Sequence, residues 1–256
     1  MDSDPPLPLR SMIALEPLDI PAIETELFLR ETLPPAPARV LEVGPGDGRL
    51  SARLTRGGWT VTALDHSEPA VAAARARGVE AVCADFLEYR GGPFDVVAFT
   101  RSLHHMPLEA ALERAEALLA PNGLLITEEF AYERADSATT AYLEREFEEF
   151  RARGYLTSSA ASDRDGDPLE RWLRHFRDEH QVHEGAALAK AVAWRFDLVR
   201  AERAPYLYRL LAAELDGQQN ALQALSGIID LEEQLISLGT IQPIGFRLVA
   251  RRRRPD

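Results

Sequence analysis

The sequence predicts an α/β fold built on a parallel sheet, and three observations predict it. Val40-Leu41-Glu42-Val43 is a short, mostly apolar run of the kind that forms a buried strand. Gly44, Gly46 and Gly48 open a tight turn behind it, and Leu50 and Leu54 supply the stripe of a covering helix. The same strand-then-helix rhythm returns up to Phe130, an arrangement that puts ligands at the carboxyl ends of the strands.

Ahead of this unit, Ile20 to Leu33 reads as a helix with Ile23, Leu27 and Leu33 turned inward, stopped by Pro34-Pro35. Residues 1–11 are rich in proline and aspartate and hold little to bury. Trp59 to Asp65 is the second strand and ends in a carboxylate, alanine-rich Pro69 to Arg77 is a helix ended by Gly78, and Val79 to Ala84 is the third strand. Gly91-Gly92-Pro93 turns into Phe94 to Thr100, whose nearly unbroken apolar run marks a central parallel strand. Pro107 opens a helix with Leu108, Ala111, Leu112, Ala115, Leu118 and Leu119 inward, and Pro121-Asn122-Gly123 turns into a fifth strand, Leu124 to Thr127.

Between Phe130 and Gly185 the rhythm stops, charges multiply and no compact apolar pattern is visible apart from an acidic helical piece at Tyr142 to Arg151. Asp163-Arg164-Asp165-Gly166-Asp167 is read as a solvated loop, since Pro168-Leu169 interrupts a calcium-loop pattern. So long a stretch is no ordinary connection, which makes it a cap over the strand ends. Gly185 to Arg195 returns as a helix, Phe196 to Arg200 as a sixth strand, Pro205 to Leu238 as one or two helices, and Phe246 to Ala250 as a last strand. Arg251 to Arg254 reads as a solvated tail.

A chain of 256 residues is long enough for one large core with a cap. Its formal net charge of -12 disfavours a nucleic-acid surface and suits small neutral or cationic ligands. With Cys83 as the single cysteine there is no internal disulfide, no cysteine-rich metal centre and no three-cysteine cluster for radical chemistry. No apolar run is long enough for a membrane span and the start is unlike a signal peptide, so the expected compartment is the cytoplasm, the expected state a monomer or homodimer.

The glycine spacing separates cofactors. A dinucleotide fingerprint places a glycine where Arg49 stands, and no Walker lysine follows. Asp65 lies 21 residues after Gly44, the distance at which a second parallel strand delivers an acceptor to ribose hydroxyls, a feature that nicotinamide and adenosyl cofactors share. With Glu42 before the glycines, Ala84-Asp85-Phe86 and the strand Phe94-Asp95-Val96-Val97, the chain resembles the class I S-adenosylmethionine-dependent methyltransferases of the small-molecule type, from about Val40 to Phe130 and again near Gly245 to Ala250.

That resemblance implies a Rossmann-like seven-stranded methyltransferase sheet with flanking helices and a mainly helical cap, its last strand antiparallel. The implied units are an N-terminal extension and leading helix (1–38), a cofactor-binding core (39–130), a cap or substrate-side insertion (131–184) and a C-terminal completion of the core (185–256). The cofactor implied is S-adenosyl-L-methionine, with S-adenosyl-L-homocysteine as product. Gly44, Gly46 and Gly48 would approach its methionine part, Asp65 its ribose and Asp85 its adenine amino group with Phe86 beside the ring; Glu42, His66 and Thr100 are counted with them.

Thr100-Arg101-Ser102-Leu103-His104-His105-Met106 is the substrate-side feature, because similar Leu-His-His steps follow the fourth strand in many small-molecule members of the resembled class. Carried over, His104 is the candidate base or positioning group, with both histidines as structural hydrogen-bonding groups the open alternative. Further acceptor candidates are Arg101, His105, Glu128, Tyr132, His180 and His183, with Glu129 beside Glu128 at the end of the fifth strand; either His180 and His183 or Glu179 and His183 are expected to share a helical face. No metal is called for, since the histidine spacing is not HExxH and methyl transfer needs no Lewis acid. The reading is therefore in-line methyl transfer to a small-molecule acceptor, most simply oxygen; a non-catalytic module that binds S-adenosylmethionine or its product stays open beside it.

Overall fold

The computed structural model describes residues 15–156, 166–215 and 219–253. The start of the chain, Asp163 to Asp165 of the aspartate loop and Arg254 of the tail lie outside the described residues. Seven strands, β1 (Arg39–Val43), β2 (Thr60–Asp65), β3 (Glu80–Cys83), β4 (Phe94–Thr100), β5 (Leu119–Phe130), β6 (Asp197–Ala204) and β7 (Gly245–Arg251), form one sheet in the order β3-β2-β1-β4-β5-β7-β6. The first five run parallel, and β7 lies antiparallel between β5 and β6, as the resemblance implied.

Alternation along the strands sorts side chains onto two faces. Leu41, Val43, Val97, Phe99 and Leu125 meet Ala111, Leu112 and Ala115 of α4 (Leu108–Leu118) and Leu188 and Val192 of α7 (Gly185–Arg195). Val40, Val61, Val96, Ala98 and Ile126 meet Phe28 and Leu29 of α1 (Asp19–Thr32) and Leu50 and Leu54 of α2 (Arg49–Arg56). At the far edge, Val71 and Ala74 of α3 (Glu68–Ala76) close on Ala63 and Ala81, and Ser67 caps that helix.

Three expectations need correction. In α1 the inward face is Ile20, Thr25, Phe28 and Leu29, while Leu27 is 54% exposed. Hydrophobicity misphased this helix because its buried face carries two polar residues, Thr25 and Glu26, that have partners on β5 and α2. Leu119 begins β5 rather than ending α4, and Pro121-Asn122-Gly123 lies within that strand, where the β4–β5 pairing shifts register and Asn122 takes φ 64°.

The cap holds α5 (Ser137–Ala152) and α6 (Pro168–Arg174), each started by an aspartate whose carboxylate accepts a first-turn N–H, then one π-helical turn, His175–Glu179. It has the compact core that no pattern announced: Phe130, Tyr132, Tyr142, Leu143 and Trp172 cluster with Leu207 of α8 (Leu207–Glu214) and with Ile241 and Ile244. α9 (Leu222–Ser237) braces α8, because the buried Glu232 carboxylate accepts the Tyr206, Leu207 and Tyr208 N–H groups at that helix's uncapped start. No helix among the described residues is long and apolar enough to cross a membrane.

Candidate active site

The carboxyl ends of β1, β2 and β4 surround a cavity of about 480 Å³, inside the roughly 300–1,000 Å³ range of small-molecule sites. Its floor is the turn after β1. Gly44 has φ +70°, and a Cβ there would stand 2.6 Å from the Ser102 Cβ, so no side chain fits between the two loops. Ser102 holds that approach by donating its hydroxyl to the Val43 carbonyl at 2.5 Å. Gly46 also lines the cavity. Gly48 does not: its φ is +77°, a Cβ would meet Ala74 at 2.7 Å, and the glycine serves the packing of α2 on α3 rather than the ligand.

Asp65 and Asp85 both line the cavity, and each is oriented by its own loop. Asp65 Oδ1 accepts the Ser67 N–H at 2.9 Å, and Asp85 Oδ1 accepts the Leu87 N–H at 2.8 Å. In both cases Oδ2 has no hydrogen bond among the described residues and is left for a ligand. Phe86 forms an apolar wall, edge-on to Phe99 with centroids 5.3 Å apart. His66 stands at the rim with its side chain 90% exposed. The residues fit an adenosyl cofactor: a side-chain-free floor, two carboxylates with an uncommitted oxygen each, and an aromatic wall.

Glu42 and Thr100 sit elsewhere. Glu42 is buried, accepting hydrogen bonds from the Ser51 hydroxyl and, at 3.1 Å, from the Thr100 hydroxyl, and both face a smaller cleft of about 250 Å³ on the other side of the glycine turn. Burial without a bonded cation holds the Glu42 carboxyl above its ordinary range, although these hydroxyls partly oppose the shift. A larger cleft, about 900 Å³, between α1 and α2 is walled mostly by charges already paired, among them Arg49 with Glu16 and Asp19, and Arg53 with Glu26.

Past β4 the chain makes a short turn, Leu103–His105, that buries His104 and leaves the neighbouring His105 exposed. His105 and Met106 line the cavity and His104 does not. Burial, followed by the neighbouring His104 and His180, pushes the His105 imidazole below its ordinary value. The His104 ring is buried, with Nδ1 2.6 Å from Glu129 Oε2. Glu129, fully buried, also accepts the Ser102 and Leu103 N–H groups at 3.0 and 2.8 Å, so one carboxylate fixes both the turn and the ring. Glu129 was expected from sequence among the groups at the end of the fifth strand, with no role of its own, and Ser102 was not singled out. The available signal was parity: on β5, Glu129 shares a face with Leu125, and Glu128 with Ile126 on the α1 side.

Glu128 is accordingly no acceptor contact. Its carboxylate meets Arg101 at 3.1 Å, Arg209 at 3.0 Å, Arg247 at 2.8 Å and the Thr25 hydroxyl at 2.5 Å. Burial alone would raise its pKa, but the three guanidinium groups and Thr25 outweigh it and bring the carboxyl to about 2. Arg101 lines the cavity while spending Nη1 on this cluster, and its φ of 69° is what turns it there. Tyr132 is buried within the cap core, stacked near Phe176, its carbonyl accepting the Trp172 indole N–H at 2.8 Å. His183 is a staple: Nε2 lies 2.9 Å from the Met106 carbonyl, and its backbone N–H donates to the His104 carbonyl. His180 is exposed against His175. His180 and His183 do not share a helical face, because the π-helical turn ends at Glu179 and Gln181 reverses the backbone with φ 51°.

A family model described as a methyltransferase domain matches residues 22–198, more than half of the chain. The chain belongs to the methyltransferase domain family. The cofactor read from the sequence, S-adenosyl-L-methionine, stands with that membership. In sequence the chain is 35% identical over 132 residues to a ubiquinone biosynthesis O-methyltransferase of Xylella fastidiosa, covering 48% of this chain and 51% of the relative. It is likewise 35% identical over 128 residues to the protein of that name in Xanthomonas oryzae pv. oryzae, covering 46% and 51%. The chain thus spans about half the length of the relatives it matches. Among solved structures it resembles the cyclase SpnF (TM-score 0.56, 21% identity, 91% of this chain and 81% of that one). It also resembles geranyl diphosphate C-methyltransferase from Streptomyces coelicolor (0.57, 14%, 90% and 76%). At these identities the likeness is one of fold, and a fold shared with a cyclase leaves the reaction to the site.

Proposed function

We propose that the protein transfers the methyl group of S-adenosyl-L-methionine to oxygen of a small-molecule acceptor. The observation that carries this is the pair of carboxylates, Asp65 and Asp85, each with one oxygen spent on its own loop and the other uncommitted, facing one cavity over a side-chain-free turn. Gly44 and Gly46 would admit the methionine portion, Asp65 would accept from the ribose hydroxyls, and Asp85 with Phe86 would receive the adenine. The cofactor supplies an electrophilic methyl; the protein positions an acceptor in line with it and takes up a proton where the acceptor is a hydroxyl.

His104 is the proton acceptor in this reading and Glu129 its positioning residue. An ionised carboxylate only accepts, so at 2.6 Å it keeps a hydrogen on Nδ1 and leaves the lone pair on Nε2, which has no hydrogen bond among the described residues. The acidic chain supports a neutral or cationic acceptor and no nucleic-acid partner, in a cytoplasmic monomer or homodimer.

One observation favours a second reading, a non-catalytic binding module. The His104 ring is buried against Phe130, with centroids 5.0 Å apart, and cap rings continue that stack. Calorimetry with S-adenosylhomocysteine and with NAD tests the shared part, and exclusive NAD binding defeats both readings. Labelled S-adenosylmethionine with small-molecule pools then separates them. Once an acceptor is found, His104→Gln is expected to lower turnover by roughly 10²–10⁴-fold at unchanged cofactor affinity. Equal turnover would remove His104 from the chemistry.

A further inference from the structure

A second cavity, of about 560 Å³, lies inside the cap, between α5, α6, the π-helical turn and α8. Leu143, Phe147, Trp172, Phe176 and Leu210 make its walls apolar. Its charged rim leans acidic. Arg171 is held by Glu144 and the Gly166 carbonyl, Arg174 faces Glu179 at 3.6 Å, and Glu214 has no ion pair among the described residues. An apolar wall with an acidic rim suits a neutral or cationic body with an aromatic or long aliphatic part and disfavours an anion.

Four rings separate this space from the cofactor cavity. Phe176 lines the cap cavity and meets Phe130 at 5.0 Å, Phe130 meets His104 at 5.0 Å, and His104 meets His105, which lines the cofactor cavity, at 4.1 Å. Phe176 is carried by the π-helical turn His175–Glu179, a local departure from α-helix of the kind that recurs at functional sites.

We infer that the cap cavity binds the apolar body of the acceptor, with Phe176 as the partition between that body and its reacting end. The inference deepens the proposed methyl transfer by naming the acceptor class: an uncharged or cationic amphipathic molecule, its apolar part seated among Leu143, Phe147 and Trp172 and its hydroxyl directed past Phe176 to the His104 side. Phe130 and Phe176 then form a dry, apolar threshold, and the His104 and His105 rings lie between it and the cofactor cavity.

Nile red, a neutral apolar dye, tests the cavity without knowledge of the acceptor. Fluorescence titration is expected to show saturable binding at one site, with weak competition from an anionic naphthalene sulfonate. Ala213→Trp, at an exposed position of α8 on the cavity rim, is expected to weaken the dye by at least about tenfold while leaving S-adenosylhomocysteine affinity unchanged. Should that variant fail to fold, a benzophenone photoprobe on the unaltered protein is expected to label α5, α6 or α8 around the cavity. Absence of saturable dye binding, equal dye affinity in a folded Ala213→Trp protein, or labelling confined to other segments overturns the inference. Loss of the methyltransferase reading shows separately, as failure of the unaltered protein to bind S-adenosylhomocysteine.

Discussion

The cofactor side and the cap side of the molecule are held by different kinds of contact. Around the 480 Å³ cavity the two carboxylates are oriented by bonds short in sequence, Asp65 accepting from Ser67 and Asp85 from Leu87, while Ser102 reaches far, to the Val43 carbonyl and Glu129. Under the cap they span the chain: Trp172 reaches Tyr132, Glu232 caps α8, and Glu128 gathers Arg101, Arg209, Arg247 and Thr25. A carboxylate oriented by its own turn keeps its direction from neighbouring residues, whereas the cap is placed only when distant charges and rings meet. Where the two systems touch, consecutive residues of β5 part company, Glu128 joining the arginines and Glu129 the His104 turn.

The comparison sharpens most at Glu128. Glu128→Gln leaves three guanidinium groups crowded without their carboxylate and is expected to cost roughly 3–5 kcal/mol of unfolding free energy, measured by urea denaturation. A loss below about 1 kcal/mol, the scale of an exposed ion pair, would mean that the cluster does not hold the cap side. On the cofactor side the effect should fall on binding: Asp65→Ala is expected to weaken S-adenosylhomocysteine by roughly 10²–10³-fold with unchanged stability of the free protein. Calorimetry and melting of the same samples separate the two, and a stability loss as large as that of Glu128→Gln would erase the distinction.

Acid titration distinguishes the regions by sign. Glu128, depressed from 4.5 to about 2, contributes stability that is present above pH 4.5 and lost as pH falls toward 2, about 3 kcal/mol by linkage. Glu42, raised by burial, works the other way: its contribution is greatest below its ordinary value and is lost as pH rises. Glu42→Gln should therefore gain on the unaltered protein with rising pH, and Glu128→Gln should converge with it in acid; parallel curves would refute both assignments. The smallest effect belongs to the cap alone. Trp172→Phe removes the indole bond to the Tyr132 carbonyl and is expected to cost about 1 kcal/mol, with S-adenosylhomocysteine affinity untouched.

By itself the sequence determined the alternation of strands and helices, the glycine turn, and the carboxylates at the ends of successive strand units. Each of these rests on contacts within a few residues or on the two-residue period of a strand, and each is met by the order and register of β1 to β5. It also marked the break at Phe130, though not the core beneath it, because the cap's apolar residues are too scattered along the chain to form a periodic stripe. Only the tertiary structure decided which face α1 buries, so Leu27 was assigned inward while Thr25 took the position against Glu128. It assigned Gly48 to helix packing, Glu42 and Thr100 to the far side of the turn, and His183 to a loop carbonyl. It also separated Glu129, which holds the His104 turn, from Glu128, which joins the arginines. For the polar groups among these the physical reason is shared: a buried polar group is placed by the partner that compensates its lost water, and Thr25, Thr100, Glu129 and His183 find theirs tens of residues away.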